Sequence, residues 1–216
     1  ENPGAVYQVD IKRSAEEPGK IELENAKVIY GGAEDAEAKQ TDVQCDPKNG
    51  GVFIADAKKG QVAWAPNAEL KKEEPEVDAY AKQPEEAADA GYAVADVKQV
   101  AKQGDWIYWS VQGEDEAEEN AIYRADASGK AEAKGAEKWV ADPDNAPAYG
   151  VAVHNDKVLF TTGKGAVWEA GKFNDKSAPS KAKEWASGYG QAGYIASAGD
   201  RGLLVADVDG GLYVSE

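Results

Sequence analysis

One histidine, His154, and one cysteine, Cys45, bound the side-chain chemistry available to this sequence. A Ser–His hydrolytic pair would have a single base to draw on, and no Gly-x-Ser-x-Gly elbow presents a nucleophile to it. A zinc centre needs three or four His or Cys ligands, which the composition does not supply. No glycine-rich phosphate loop stands between a strand pattern and a helix pattern. His154 ends an apolar stretch just before Asn155-Asp156, a turn signal, and reads as a solvent-facing turn residue. Cys45 lies in the alternating segment Asp42-Val43-Gln44-Cys45-Asp46 and reads as a small buried apolar side chain. A lone cysteine forms no internal disulfide, so it does not fix a redox compartment.

Oxygen ligands remain, which leaves calcium as the metal the sequence could hold. Asp142, Asp144 and Asn145 stand together in one loop, and Asp207 and Asp209 in another. The same residue types also build turns without any metal. Two charged insertions are candidate contacts for a protein partner. One is Glu114-Asp115-Glu116-Ala117-Glu118-Glu119, suited to a solvated loop or to docking a basic partner. The other begins Lys71-Lys72-Glu73-Glu74. With 24 basic and 40 acidic residues the formal charge is −16, which argues against a nucleic-acid or anionic-membrane surface. No apolar run approaches the roughly 20 residues of a membrane-spanning helix. The chain opens Glu1-Asn2-Pro3-Gly4 and has no Met. Removal of a targeting segment is the expectation, and with it an extracytoplasmic location, secreted or in an organelle lumen.

The elements that would carry these residues repeat along the chain. Gly51 to Asp56 is followed by Lys58 to Trp64, Asp105 to Val111 by Ala121 to Asp126, Lys157 to Thr162 by Gly163 to Ala170, and Arg201 to Asp207 by Asp209 to Val214. A further second-strand pattern, Gly4 to Asp10, opens the chain. Taking Val6, Val62, Ile122, Val167 and Leu212 as equivalent gives steps of 56, 60, 45 and 45 residues, the longer ones containing the insertions. The short steps match the roughly 40–50 residues of a four-stranded propeller blade. The first strand of each pair is apolar on both faces, as a strand sandwiched between stacked sheets must be. Asp209-Gly210 is a hairpin signal.

Fainter patterns complete the blades. Candidate innermost strands are Asp42 to Cys45, Tyr92 to Val97, Tyr149 to His154 and Gly193 to Ser197. Candidate outermost strands are Ala26 to Tyr30, Glu76 to Tyr80, Glu137 to Val140 and Lys183 to Trp185. Short helical turns are expected at Ala33 to Lys39 and Pro84 to Ala90. The expectation is a single all-β domain over residues 1–216. It is a β-propeller of five blades, with six as the alternative, closed by pairing of the N- and C-terminal strands. Trp109, Tyr123 and Trp168 are expected to fill the wedges between blades.

Trp106-Ile107-Tyr108-Trp109-Ser110, followed by Ala121-Ile122-Tyr123-Arg124-Ala125-Asp126, resembles the YWTD repeat of low-density-lipoprotein-receptor-type propellers. Gly51-Val52-Phe53-Ile54-Ala55-Asp56 is similar to the corresponding strand of NHL and SMP-30/gluconolactonase-like propellers. One His, one Cys and scattered turn carboxylates assemble no catalytic constellation, whereas a propeller with charged face loops suits docking, so a non-catalytic interaction or assembly module, such as a receptor-type propeller or a peripheral subunit of a larger assembly, is expected. The lactonase-type resemblance implies a metal-dependent hydrolase, with Asp142, Asp144 or Asn145 at the metal. Its usual Pro-Asn-Gly corresponds here to Pro147-Ala148-Tyr149-Gly150, which lacks the Asn. The first reading is preferred. It needs no cofactor, and calcium enters only with the second. A small-ligand module built on the axial pocket is the third.

Overall fold

The computed structural model describes residues 5–14, 20–31, 39–46, 50–82, 96–112, 120–128, 134–141, 143, 148–176 and 181–215. All regular structure in them is β, apart from one turn of α-helix, α1 (Asn67–Leu70), and a short 3-10 turn at Gly199–Arg201. The helical turns expected at 33–39 and 84–90 fall outside the described residues, apart from Lys39, which is not helical.

Among the described residues seventeen strands form five antiparallel sheets. β1 (Ala5–Arg13) pairs with β2 (Ile21–Gly31). Next come β3 (Gln40–Asp46), β4 (Gly51–Asp56), β5 (Gln61–Pro66) and β6 (Asp78–Lys82) in one four-stranded meander. β7 (Asp96–Gln103), β8 (Trp106–Gln112), β9 (Ala121–Asp126) and β10 (Lys134–Ala141) make the second. β11 (Ala148–His154), β12 (Lys157–Thr162), β13 (Ala166–Lys172) and β14 (Lys183–Ser187) make the third. β15 (Ala192–Ser197), β16 (Leu203–Asp207) and β17 (Leu212–Ser215) form a three-stranded last sheet. The sheets from β3 onward are four successive propeller blades, each starting at the axis and running outward. Among the described residues β1 pairs only with β2 and β17 only with β16, so the expected pairing of terminal strands is not seen.

The second strands of the three four-stranded blades divide their side chains between two cores, which explains why they are apolar on both faces. Phe53 and Ala55 of β4 join the core against the second blade, while Ile54 between them packs with Val6, Ile29 and Tyr30 of β1–β2. Trp109 of β8 packs toward the first blade, and Tyr108 toward the third. Phe160 and Leu159 of β12 split in the same way. In β16 Leu203 and Val205 join the core toward the third blade, while the intervening Leu204 is half-buried. Trp109 and Tyr123 are buried between blades, their rings stacked at 5.9 Å, and Trp168 packs partly buried against the neighbouring core.

The pairing corrects three sequence expectations. β4 and β5 align Phe53 with Trp64 and Ile54 with Ala63, so Ala63 rather than Val62 is the counterpart of Ile122, Val167 and Leu212. The second innermost strand is β7, running on through Lys98 to Gln103, whereas 92–95 lie outside the described residues. Cys45 is exposed, because it points from β3 away from the second blade, as does exposed Val43.

Hairpin turns set the registers. Asn155 and Asp156 both take positive φ, the two-residue turn that joins His154 to Lys157. Gly165 has φ +75°, and a Cβ there would stand 2.0 Å from the Tyr189 carbonyl oxygen. Gly165→Ala is therefore expected to cost more than about 1 kcal/mol in urea unfolding, combining left-handed strain with a backbone clash. An unchanged urea midpoint would count against this packing of the β12–β13 turn on residue 189.

Candidate binding surfaces

The innermost strands β3, β7, β11 and β15 surround the axis and line a cavity of about 330 Å³. These four strands belong to different sheets, so their backbone groups lack ladder partners across the blade junctions. Side chains supply the missing partners. Thr41 donates to the Val97 carbonyl at 2.7 Å, Asp42 accepts from the Val100 N–H at 3.0 Å, and Gln44 accepts from the Lys102 N–H at 2.9 Å. Ser110 and Thr161 repeat the role of Thr41 one and two blades on. They donate to the carbonyls of Tyr149 and Gly193, and accept from the N–H groups of Gln99 and Gly150.

Gln99 spans the axis. Its Oε1 accepts from Val151 at 3.1 Å and Ile195 at 3.2 Å, while its Nε2 donates to the Ile195 carbonyl at 2.9 Å. One amide thus ties the second, third and fourth blades together. Burial pushes the Asp42 carboxyl above its ordinary range, against the opposing pull of the Val100 and Val43 N–H groups. Beside the cavity Lys102 and Asp46 form a buried ion pair at 3.3 Å.

His154 is buried rather than solvent-facing. The tight turn after it leaves the imidazole at the strand end, where Nδ1 lies 3.0 Å from the Ser197 hydroxyl and Nε2 lies 2.9 Å from the Asn155 amide. It therefore links β11 to β15. Asp207 is a turn cap. Its carboxylate accepts from the N–H groups of Gly190, Gln191 and Asp209 at 2.8, 3.1 and 3.0 Å.

The N–H groups of Asp209, Gln191 and Gly190 hold the Asp207 carboxyl below its ordinary range. A lowered folded-state value means stability that is present above the unfolded carboxylate pKa and lost as pH falls through the folded one. Asp207→Asn is thus expected to lower the thermal midpoint at pH 7. The difference from the parent should shrink as pH falls through the folded-state value of the Asp207 carboxyl. An offset that does not change with pH across the acid range would rule out the charged cap.

A second kind of surface lies on the first and last sheets. Exposed large apolar side chains on β1–β2 are Tyr7, Ile11, Ile21, Leu23 and Val28. On the last sheet and its turn they are Tyr194, Val208, Leu212, Tyr213 and Val214, with Leu212 at 69% exposure. Among the described residues of the three intervening blades, Val43 is the sole counterpart. Scattered apolar exposure is ordinary, and here, among the described residues, it is concentrated on two sheets.

Of the charged residues singled out in the sequence, Lys71, Lys72, Glu73 and Glu74 are exposed on the turn after α1. Lys72 pairs with Glu69 at 2.9 Å, and Lys27 of β2 donates to the Leu70 and Lys72 carbonyls. The insertion is thereby pinned beside the first sheet. The acidic run Glu114 to Glu119 lies outside the described residues, as do Asp142, Asp144 and Asn145. Among the described residues no helix is long and apolar enough to cross a membrane.

The sheets and their axial cavity define an all-β protein of the β-propeller class. No family model and no curated protein matches the chain in sequence. Solved structures share the fold at low identity. The chain is similar to the aldose sugar dehydrogenase of Streptomyces coelicolor in its PQQ-bound form, with a TM-score of 0.58, 12% identity, and coverage of 92% of this chain and 65% of that one. It is similar to the β-propeller domain of Cps50 (Swd1) from Myceliophteria thermophila, with a TM-score of 0.57 and 10% identity over 99% of this chain and 64% of that one. A structure of the nidogen/laminin complex gives a TM-score of 0.55 at 11% identity over 96% and 84%. The chain thus spans a little under two thirds of the first two of these neighbours. The likeness concerns the fold.

Proposed function

We propose that this protein is a non-catalytic interaction module, a receptor-type propeller or a peripheral subunit of an extracytoplasmic assembly. The observation that carries the reading is the concentration of exposed apolar side chains on the first and last sheets. The neighbours support it in kind, since the nidogen/laminin structure is a protein complex. In this reading β1–β2 is a fifth, incomplete blade. A basic partner suits the charge of −16. Contacts from Lys71 to Glu74 and from Glu114 to Glu119 would extend the surface. The axial cavity, with the Asp42 carboxylate at its wall, favours a small-ligand site as the second reading.

The test is photo-crosslinking from positions 23 and 212 in an extract of the source organism, with position 164 as control. One partner protein captured at the first two positions and not at the third is expected. Calcium-dependent lactone or phosphoester hydrolysis that disappears in Asp144→Ala would overturn the reading in favour of the hydrolase.

A further inference from the structure

Asp42 brings a carboxyl to the wall of the axial cavity of about 330 Å³. A second cavity of about 460 Å³, between β1 and β3, shares Asp42 and Val43 with the first. The carboxyl accepts from the N–H groups of Val100 and Val43, and burial holds it above its ordinary range in spite of them. Among the described residues no ion pair includes it. Tyr194 of β15 comes within electrostatic reach of the same group: burial, and then the Asp42 charge, push its hydroxyl up. The other charge on the cavity wall is already matched, since Lys102 is held by Asp46 at 3.3 Å and by the Gly104 carbonyl at 2.8 Å. The amide oxygens of Gln44 and Gln99 are occupied by N–H groups of β7, β11 and β15. Most of the remaining wall is aliphatic.

We infer that the axial cavity is a binding site for a small organic ammonium compound, its cationic head on Asp42 and its aliphatic body against Val100, Val151, Ala152 and Ile195. This deepens the small-ligand reading of the cavity and rests on it. A carboxylate held out of water is costly until a cation pairs with it, and an ammonium brings both the charge and the hydrogen-bond donors. An apolar wall around a few polar groups is the usual make-up of a small-molecule pocket, and this volume lies at the low end of their range.

Other ligand classes match less well. Calcium takes about six to eight oxygen ligands, whereas this wall offers one carboxylate and two amide oxygens that already accept. An anion would meet Asp42 and a chain of charge −16. A second unmatched polar group stands two residues away on the same strand. Gln40 lines the adjoining cavity, and both atoms of its amide are buried without a partner among the described residues. Buried polar atoms of this kind call for water or a ligand.

The test is calorimetric titration of the full chain with pentylammonium chloride, with pentanol and calcium chloride as comparison probes. Saturable one-site binding of the amine is expected, with pentanol at least about tenfold weaker because it offers Asp42 no charge. Asp42→Asn keeps an acceptor for the Val100 N–H and removes the charge, and should weaken the amine at least about tenfold. Ala196→Leu fills the cavity from an exposed position and should block the amine with Asp42 intact. It decides the matter even if Asp42→Asn fails to fold. Asp10→Asn, at a carboxylate that lines neither cavity, should change nothing. Amine binding that survives Asp42→Asn or Ala196→Leu overturns the inference, since it would be general attraction to an acidic surface. Equal binding of amine and pentanol, both lost in Ala196→Leu, overturns the ammonium class and leaves the small-ligand reading standing. So does calcium binding lost in Asp42→Asn with no amine binding. No binding of any probe, as when another part of the chain fills this space, removes the inference and the small-ligand reading together.

Discussion

Replacing Arg124 by alanine is expected to destabilise the protein by about 3 kcal/mol, a larger effect than any other single charged side chain here should give. Arg124 is 1% exposed and lies between two indoles, 4.5 Å from the Trp106 ring centre and 5.1 Å from that of Trp139. Its Nε donates to Glu137 at 2.7 Å, and its Nη1 and Nη2 donate to the carbonyls of Asp175 and Lys176 at 2.5 and 3.0 Å. A β9 side chain of the second blade thereby fastens the β13–β14 loop of the third. Removing one partner of a buried pair costs about 3–5 kcal/mol, and the lower end applies because the Glu137 side chain is half exposed and regains water. At roughly 2–4 °C per kcal/mol for a chain of this size, the thermal midpoint should fall by about 6–12 °C. Arg124→Lys should recover only part, because an ammonium has no planar fork to stack between indoles while reaching three acceptors. A midpoint for the alanine variant within about 1 °C of the parent would show that the blade junction does not depend on this contact.

The blade pattern was legible because its cause is local. A strand between two cores must be apolar on both faces, and β4, β8 and β12 announce this in Phe53-Ile54-Ala55, Trp106 to Val111 and Val158 to Phe160. β16 shows the limit of that reasoning. Leu203-Leu204-Val205 carries the same two-faced pattern, yet Leu204 on its second face is only half-buried, and no property of the strand itself reveals what lies against it. Innermost strands were harder for the opposite reason. Lys98 to Gln103 resembles a polar loop, because Gln99 serves backbone groups of two other blades and Lys102 is neutralised by Asp46. His154 misled for a related reason, since its turn is tight enough to leave the ring against Ser197. The polar bridges Thr41, Ser110 and Thr161 had no periodic signal, because Thr41 stands on an innermost strand and the other two on second strands, and their acceptors are a blade away. The register slips at Tyr80, Trp139 and Trp185 were visible only as aromatics in faint outer strands.

Trp109→Ala is expected to cost about 3–5 kcal/mol, the range for truncating a large aromatic in a core that relaxes only in part. Trp109 is fully buried where the first two blades meet, in one cluster with Phe53, Trp64, Tyr80, Val97 and Tyr123. Its ring stacks on Tyr123 at 5.9 Å with an interplanar angle of 17°. Part of the loss is therefore pairwise. A double-mutant cycle with Tyr123→Leu should return a coupling of about 0.5–1.5 kcal/mol. Among the described residues the indole N–H finds no hydrogen-bond partner. An orphaned buried donor costs about 1–3 kcal/mol, so Trp109→Phe removes a penalty while it gives up ring area. The two effects oppose each other, and the phenylalanine variant should stay within about 1 kcal/mol of the parent while the alanine variant does not. Urea midpoints at constant m decide the matter, since a change in m would signal an altered denatured or native ensemble rather than a lost contact. Equal midpoints for Trp109→Ala and the parent would mean that the junction of the first two blades does not carry the stability its burial implies. A phenylalanine variant as weak as the alanine one would mean that the second ring of the indole, and not the removal of its donor, sets the balance.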